Sequence, residues 1–201
     1  MGERERDFDR LLTFVDAIVA IAITLLVLPL VDVAGDVGDG AVADLLTEHA
    51  PEMYGFLLSF LVIAKLWLTH HAIVSGVVRQ DPWLVQLTLG WALTIVFLPF
   101  ATALVAEAPD EATTKVLYMG SMAVSSGVLG ATAWVIARRP GLSDTERLPD
   151  PMIAAANVVA FLIALTISLV VPATSYWPLL LLLLADPAVR RLRGVAERRP
   201  G

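Results

Sequence analysis

Residues 10–30 read RLLTFVDAIVAIAITLLVLPL, and their reading decides the fold. Arg10 and Asp16 stand at the head of an otherwise apolar run. No further charge occurs until Asp32, and Thr24 is the sole polar side chain in between. A bilayer core about 30 Å thick needs roughly 20 helical residues per crossing, and this run supplies them. A simple anchor would need no aspartate. A carboxylate near the middle of such a helix costs about 2.5–3.5 kcal/mol on insertion scales, so Asp16 should face protein and have a partner.

Composition extends that reading to the whole chain. Of 201 residues, 57% are hydrophobic and only 17% charged, and the mean hydropathy is +0.75. A core of this size cannot hide so much apolar surface, so lipid must solvate most of it. There is no cysteine, which excludes disulfides, thiolate metal sites and thiol nucleophiles. The first apolar run is too long for a signal-peptide core. The net charge of −6 gives no support to nucleic-acid binding.

Six segments qualify as spans, at about 9–30, 53–78, 83–106, 113–137, 151–171 and 175–193, within one transmembrane domain over 1–201. The expected class is an all-α integral membrane protein, because such long continuous runs exclude barrel strands. Breakers separate the spans: DVAGDVGDGAVAD, RQDPW, EAPDEAT, RRPGLSDTERLPDP and PATSYWP. The basic residues set the orientation. With a cytoplasmic N-terminus, Arg4, Arg6, Arg10, Arg79, Arg138, Arg139, Arg147 and the arginines from Arg190 to Arg199 all lie inside, and Lys115 is the only base in an outer loop. Both termini are therefore expected in the cytoplasm of an inner or plasma membrane. The outer loops are acidic (Asp32, Asp36, Asp39, Asp44, Glu48, Glu52, Glu107, Asp110, Glu111). That charge either serves solvation alone or concentrates cations at a pore mouth.

On a 3.6-residue period, Phe14, Ala17, Ile21, Thr24, Leu25 and Leu28 share one stripe of the first helix. Around a symmetric axis this stripe would present a ring of hydroxyls between rings of branched aliphatics. Aliphatic rings can gate by shedding water, and oxygen rings can replace part of an ion's hydration shell. A hydroxyl bonded back to its own helix carbonyl is the simpler reading of Thr24, and spacing alone prefers it. Asp16 has three charged or titratable candidates as partners. Arg10 lies less than two turns away, and the second span, running the opposite way, brings His70 and His71 to a similar depth. A network of Arg10, Asp16 and one or both histidines would satisfy each charge.

The run RLLTFVDAIVAIAITLLVL resembles the signature of the transmembrane protein 175 family of potassium channels, especially its small bacterial members. WLTHH in the second span and LPFATAL in the third also resemble family segments, so the likeness touches the first three spans. The family's serine is Val15 here, and Thr88 stands where an asparagine is expected. The resemblance implies a potassium-permeable channel of four identical subunits with six helices each, the first lining a central pore. It places the hydrophobic constriction at Ile21, with Leu25 and Leu28 further outward, and the pore-facing threonine layer at Thr24. Its structural motif falls on Arg10, Phe14 and Asp16 with His70 or His71. Partners would be further copies of the chain, lipid and the permeating potassium ions, with no cofactor. The filter sequence Thr-Val-Gly-Tyr-Gly is absent, so any potassium preference must arise differently.

Lys65, in the inner half of the second span, could snorkel to the surface or pair with a neighbour. Adjacent histidines point about 100° apart on a helix, which makes His70 and His71 a poor metal chelate. Pro99 and Pro172 are expected to kink or end helices. No nucleophile–base pair or nucleotide loop occurs, so an enzyme is not expected. The competing reading is a secondary transporter, proton-coupled through Asp16, Lys65, His70 and His71. Transporters favour broken helices, whereas the first span reads as unbroken through its apolar run.

Overall fold

Prolines and acids punctuate the chain, and the helices of the computed structural model begin and end at them. It describes residues 3–35, 42–139, 141–144, 151–171 and 176–180. The order is α1 (Glu3–Leu25), α2 (Leu28–Gly35), α3 (Val42–Glu48), α4 (Ala50–Val74), α5 (Pro82–Glu107), α6 (Ala112–Arg138) and α7 (Pro151–Val170), followed by a 3₁₀ turn at Trp177–Leu180. Among the described residues, four helical segments are long and apolar enough to cross a membrane: Asp7–Val33, α4, α5 and α6. The fifth expected span is the apolar helix α7. The sixth, at 175–193, lies outside the described residues except for that 3₁₀ turn.

The helix starts follow local chemistry. Asp81 caps α5, accepting the Trp83 backbone N–H at 2.9 Å, and Pro82 occupies a first-turn position where no amide donor is needed. Pro51 plays the same part in α4. Pro99 sits inside α5, which continues to Glu107; only the bond to the Ile95 carbonyl is forfeited there.

Three features differ from the sequence reading. The first span is not one helix: α1 stops at Leu25, and Leu26 and Val27 take tighter bonds to the carbonyls of Ile23 and Thr24, each 3.3 Å. Pro29 is the cause, since it has no N–H for the Leu25 carbonyl and its ring crowds that carbonyl. The acidic segment after it is not a plain loop either, for α2 and α3 occupy much of it. Asp44 stands in the first turn of α3, where the helix dipole favours an acid. Lys115, expected in a loop, lies in the first turn of α6 at 2% exposure. Its ammonium donates to the Ser168 carbonyl of α7 at 3.4 Å, near the negative end of that helix.

These helices run antiparallel. One end of the bundle, the proximal end, holds the end of α4, the start of α5 and the end of α6. The distal end holds the close of α1, the starts of α4 and α6 and the close of α5. A clasp joins two connections at the proximal end: Val78 N–H donates to Leu142 O at 2.9 Å and Asp144 N–H to Gly76 O at 3.0 Å. Arg139 pairs with Asp81 beside it. Gly141 turns the chain there with φ 88°, a conformation that favours glycine.

In the bundle, α6 packs between α5 and α7, and α1 lies against α5. Lipid is as apolar as leucine, so close packing rather than hydrophobic transfer must hold membrane helices together. Small residues at the buried positions Ala92, Ala101, Ala123, Ser125, Ser126 and Ala133 permit that approach. Trp91, Tyr118, Met119 and Met122 fill the space between.

Candidate functional site: the free face of the first helix

α1 has two apolar faces with different fates. Phe8, Val15, Val19, Ala22 and Leu26 recur at steps of seven, four, three and four and are buried against the bundle. The opposite stripe of Phe14, Ala17, Ile21, Thr24 and Leu25 is exposed. The contrast is large: Val15 is 0% exposed and Ile21 59%. Leu28 lies beyond the break, on α2, and is exposed as well. Val15 packs in the core, so no hydroxyl is available where the family signature has serine.

Thr24 donates its hydroxyl proton to the Ile21 carbonyl at 2.7 Å. The back-bond fixes the rotamer. It also leaves the oxygen's lone pairs free to accept, which is the only way a threonine can serve a cation.

Asp16 is exposed on α1, and its Oδ1 accepts the indole N–H of Trp67 at 2.8 Å. Although His70 lies close enough to interact with the charge of Asp16, among the described residues the hydrogen bond to Asp16 therefore comes from an indole and not from a histidine. Among the described residues no ion pair joins it to Arg10, which is itself exposed. His71 is also exposed, its ring 5.9 Å from that of Trp67. His70 turns inward at 2% exposure and stacks on Trp91 at 4.1 Å with the planes 2° apart. Its Nε2 is buried without a hydrogen-bond partner, as is the hydroxyl of Thr88, one turn before Trp91. The two histidines thus leave α4 in different directions, as neighbours on a helix must.

Lys65 points into the bundle, its ammonium 3.2 Å from Asn157 Oδ1 of α7. Trp67 and Asn157 are polar participants that the sequence pattern does not single out, and Lys115 is buried where an outer loop was expected. Only Trp67 carried a usable signal: it lies one turn before His71 and so shares its face of α4.

The family model described as "Endosomal/lysosomal potassium channel TMEM175" matches residues 10–99, from Arg10 of α1 to Pro99 of α5. Over residues 10–99, a little under half of the chain, the sequence is similar to the TMEM175 family. The chain is 37% identical to a potassium channel of Streptomyces collinus over 98 residues, 49% of this chain and 47% of that protein. It is 38% identical to a potassium channel of Chamaesiphon minutus over 100 residues, 49% of each. The chain thus matches about half the length of these curated relatives. The likeness of fold reaches further. The crystal structure of a lysosomal potassium-selective channel TMEM175 homolog from Chamaesiphon minutus superposes with a TM-score of 0.68 at 25% identity, covering 92% of this chain and 98% of that one. With its apolar helices, the TMEM175 likeness makes this a multi-pass membrane protein. The TMEM175-matching segment contains α1, Asp16, Trp67, both histidines and Thr88, while Lys115 and Asn157 fall outside it.

Proposed function

We propose that the chain is one subunit of a potassium-permeable cation channel, a homotetramer in the inner or plasma membrane with both termini cytoplasmic. The free stripe of α1 lines its central pore, Ile21 forms the hydrophobic constriction, and Leu25 and Leu28 lie further outward. The observation that carries the reading is the exposure of Asp16 beside that stripe. A carboxylate left against lipid would cost about 2.5–3.5 kcal/mol, and one indole bond does not cover it. A second copy of the chain would cover it, and that copy's Arg10 is a suitable cation. Such packing would turn Ile21 and Thr24 toward a shared axis instead of acyl chains and seat Phe14 between subunits. Arg10, Phe14, Asp16, His70 and His71 then act as structural groups that set the angle of α1, not as groups in the ion's path.

At the constriction, four isoleucines would make a neck narrow enough to exclude water when closed. Outward of it, four Thr24 oxygens would offer weak coordination to a partly hydrated ion, which supports only a modest potassium preference. The break at Leu26–Val27 leaves the Leu25 carbonyl without its helical donor, so the channel reading rests on the free stripe and the family likeness and not on an unbroken first helix. The test is reconstitution in planar bilayers: discrete single-channel currents are expected, and slow gradient-coupled flux without unitary events would refute the channel. In the same assay Ile21→Asn should wet the neck and raise current. An assembled variant that conducts no better than the parent would remove Ile21 from the constriction.

A further inference from the structure

At the distal end, α2, α4, α5 and α6 enclose a cavity of about 110 Å³. Its walls are mostly apolar, with Leu26, Phe56 and Val105 among them. Its floor is polar but closed. Tyr118 and Ser59 share a 2.7 Å hydrogen bond, and Thr102 donates to Ser59 at 3.0 Å, so these hydroxyls are occupied. Two other lining residues differ. Glu52 Oε2 and the Tyr54 hydroxyl are buried without a hydrogen-bond partner. The second Glu52 oxygen faces His49 Nδ1 at 3.5 Å, which does nothing for Oε2. An unfilled carboxylate lone pair in such a place calls for a donor that the chain does not supply.

We propose that this cavity is a binding site for a small primary alkylammonium. The ammonium donates to Glu52 Oε2 and to the Tyr54 oxygen, and the apolar body lies against Leu26, Phe56 and Val105. Charge selects the head group: an acceptor-only carboxylate lining the same cavity as an unpartnered phenol favours a cation with several N–H donors. Volume selects the body, because an apolar cavity of about 150 Å³ accepts benzene, so the smaller one here holds about four or five carbons. The site reaches beyond the channel reading and does not depend on it. Its occupant would also touch the turn where α1 gives way to α2, since Leu26 and Pro29 line the same cavity.

Gly55 lines the cavity, and a Cβ built on it meets nothing within 4 Å, so a larger side chain is accepted there without a clash at its root and takes up space at the cavity wall. The experiment is calorimetric titration of n-butylammonium into the purified full chain in detergent. Parallel titrations use n-butanol as the neutral isostere and the variants Glu52→Gln and Gly55→Leu, each first checked for monodispersity. Saturable butylammonium binding is expected, weakened at least tenfold in Glu52→Gln and for butanol, and absent in Gly55→Leu. No saturable binding to the parent overturns the proposal. So does equal affinity for butanol, which would make the cavity merely apolar, and so does unchanged affinity in Gly55→Leu. Detection by mass spectrometry of an aminophospholipid that blocks the parent until delipidation would assign the site to a lipid headgroup and overturn the small-amine assignment.

Discussion

Replacing Trp67 by phenylalanine removes the N–H donor of the contact that orients α1, together with part of the ring. The indole N–H donates to Asp16 Oδ1 at 2.8 Å, a normal length for a bond to a charged acceptor. Hydrogen bonds to charged groups contribute about 1.5–3 kcal/mol net, and the exposure of Asp16 in the chain argues for the lower end. A loss of about 1.5 kcal/mol corresponds to a fall in Tm of about 3–6 °C for a chain of this length. Asp16→Asn separates this bond from the charge, because the amide oxygen still accepts from Trp67. Stability lost by Asp16→Asn beyond the weakening of that bond to a neutral acceptor reports the partner of the charge, which the proposal assigns to Arg10 of a neighbouring subunit. The assay is a double-mutant cycle on Trp67→Phe and Asp16→Ala, read by thermal unfolding and by the tetramer fraction on size exclusion. A coupling of about 1 kcal/mol or more is expected. Additive effects within about 0.5 kcal/mol would refute the bond, and a stable Asp16→Asn tetramer with altered ion preference would move Asp16 into the pore.

Thr24→Val keeps the shape of the side chain and removes its oxygen, so the potassium preference measured by bi-ionic reversal potentials should fall while conduction persists. An unchanged ratio would assign selectivity elsewhere. Asp81→Ala removes both the cap of α5 and the pairing with Arg139, so it should destabilise by about 1–2 kcal/mol. Arg139→Ala removes only the exposed ion pair and should cost under about 1 kcal/mol by the same thermal assay; equal losses would mean that the cap contributes nothing.

Helix positions were legible because their limits are written in local chemistry. The expected 83–106 became Pro82–Glu107 and the expected 113–137 became Ala112–Arg138, since RQDPW and EAPDEAT can only be turns. The free stripe of α1 was equally legible, because the buried set of Val15, Val19, Ala22 and Leu26 is its complement on the same 3.6-residue period. The break after Leu25 was missed, although Pro29 announces it four residues on: an apolar run suggests continuity more strongly than one proline suggests interruption. The indole donor to Asp16 is not legible in the sequence, because a charge points to charged partners and a tryptophan on a membrane helix reads as apolar bulk although its N–H is a good donor. Lys65 with Asn157 and Lys115 with Ser168 join residues of α7 to distant helices. No spacing rule reaches across such separations, so only the packed structure pairs them.

The central claim is that the face of α1 bearing Thr24 borders the ion's path while the face bearing Val19 does not. The chain has no cysteine, so single substitutions provide thiols without background. Thr24→Cys and Val19→Cys would be compared in reconstituted bilayers, with Cd²⁺ applied to the open channel. The account predicts that Thr24→Cys is blocked, because four thiolates around an axis bind a soft divalent cation, while Val19→Cys conducts undisturbed. Block of Val19→Cys with Thr24→Cys unaffected would turn the helix around and contradict the account.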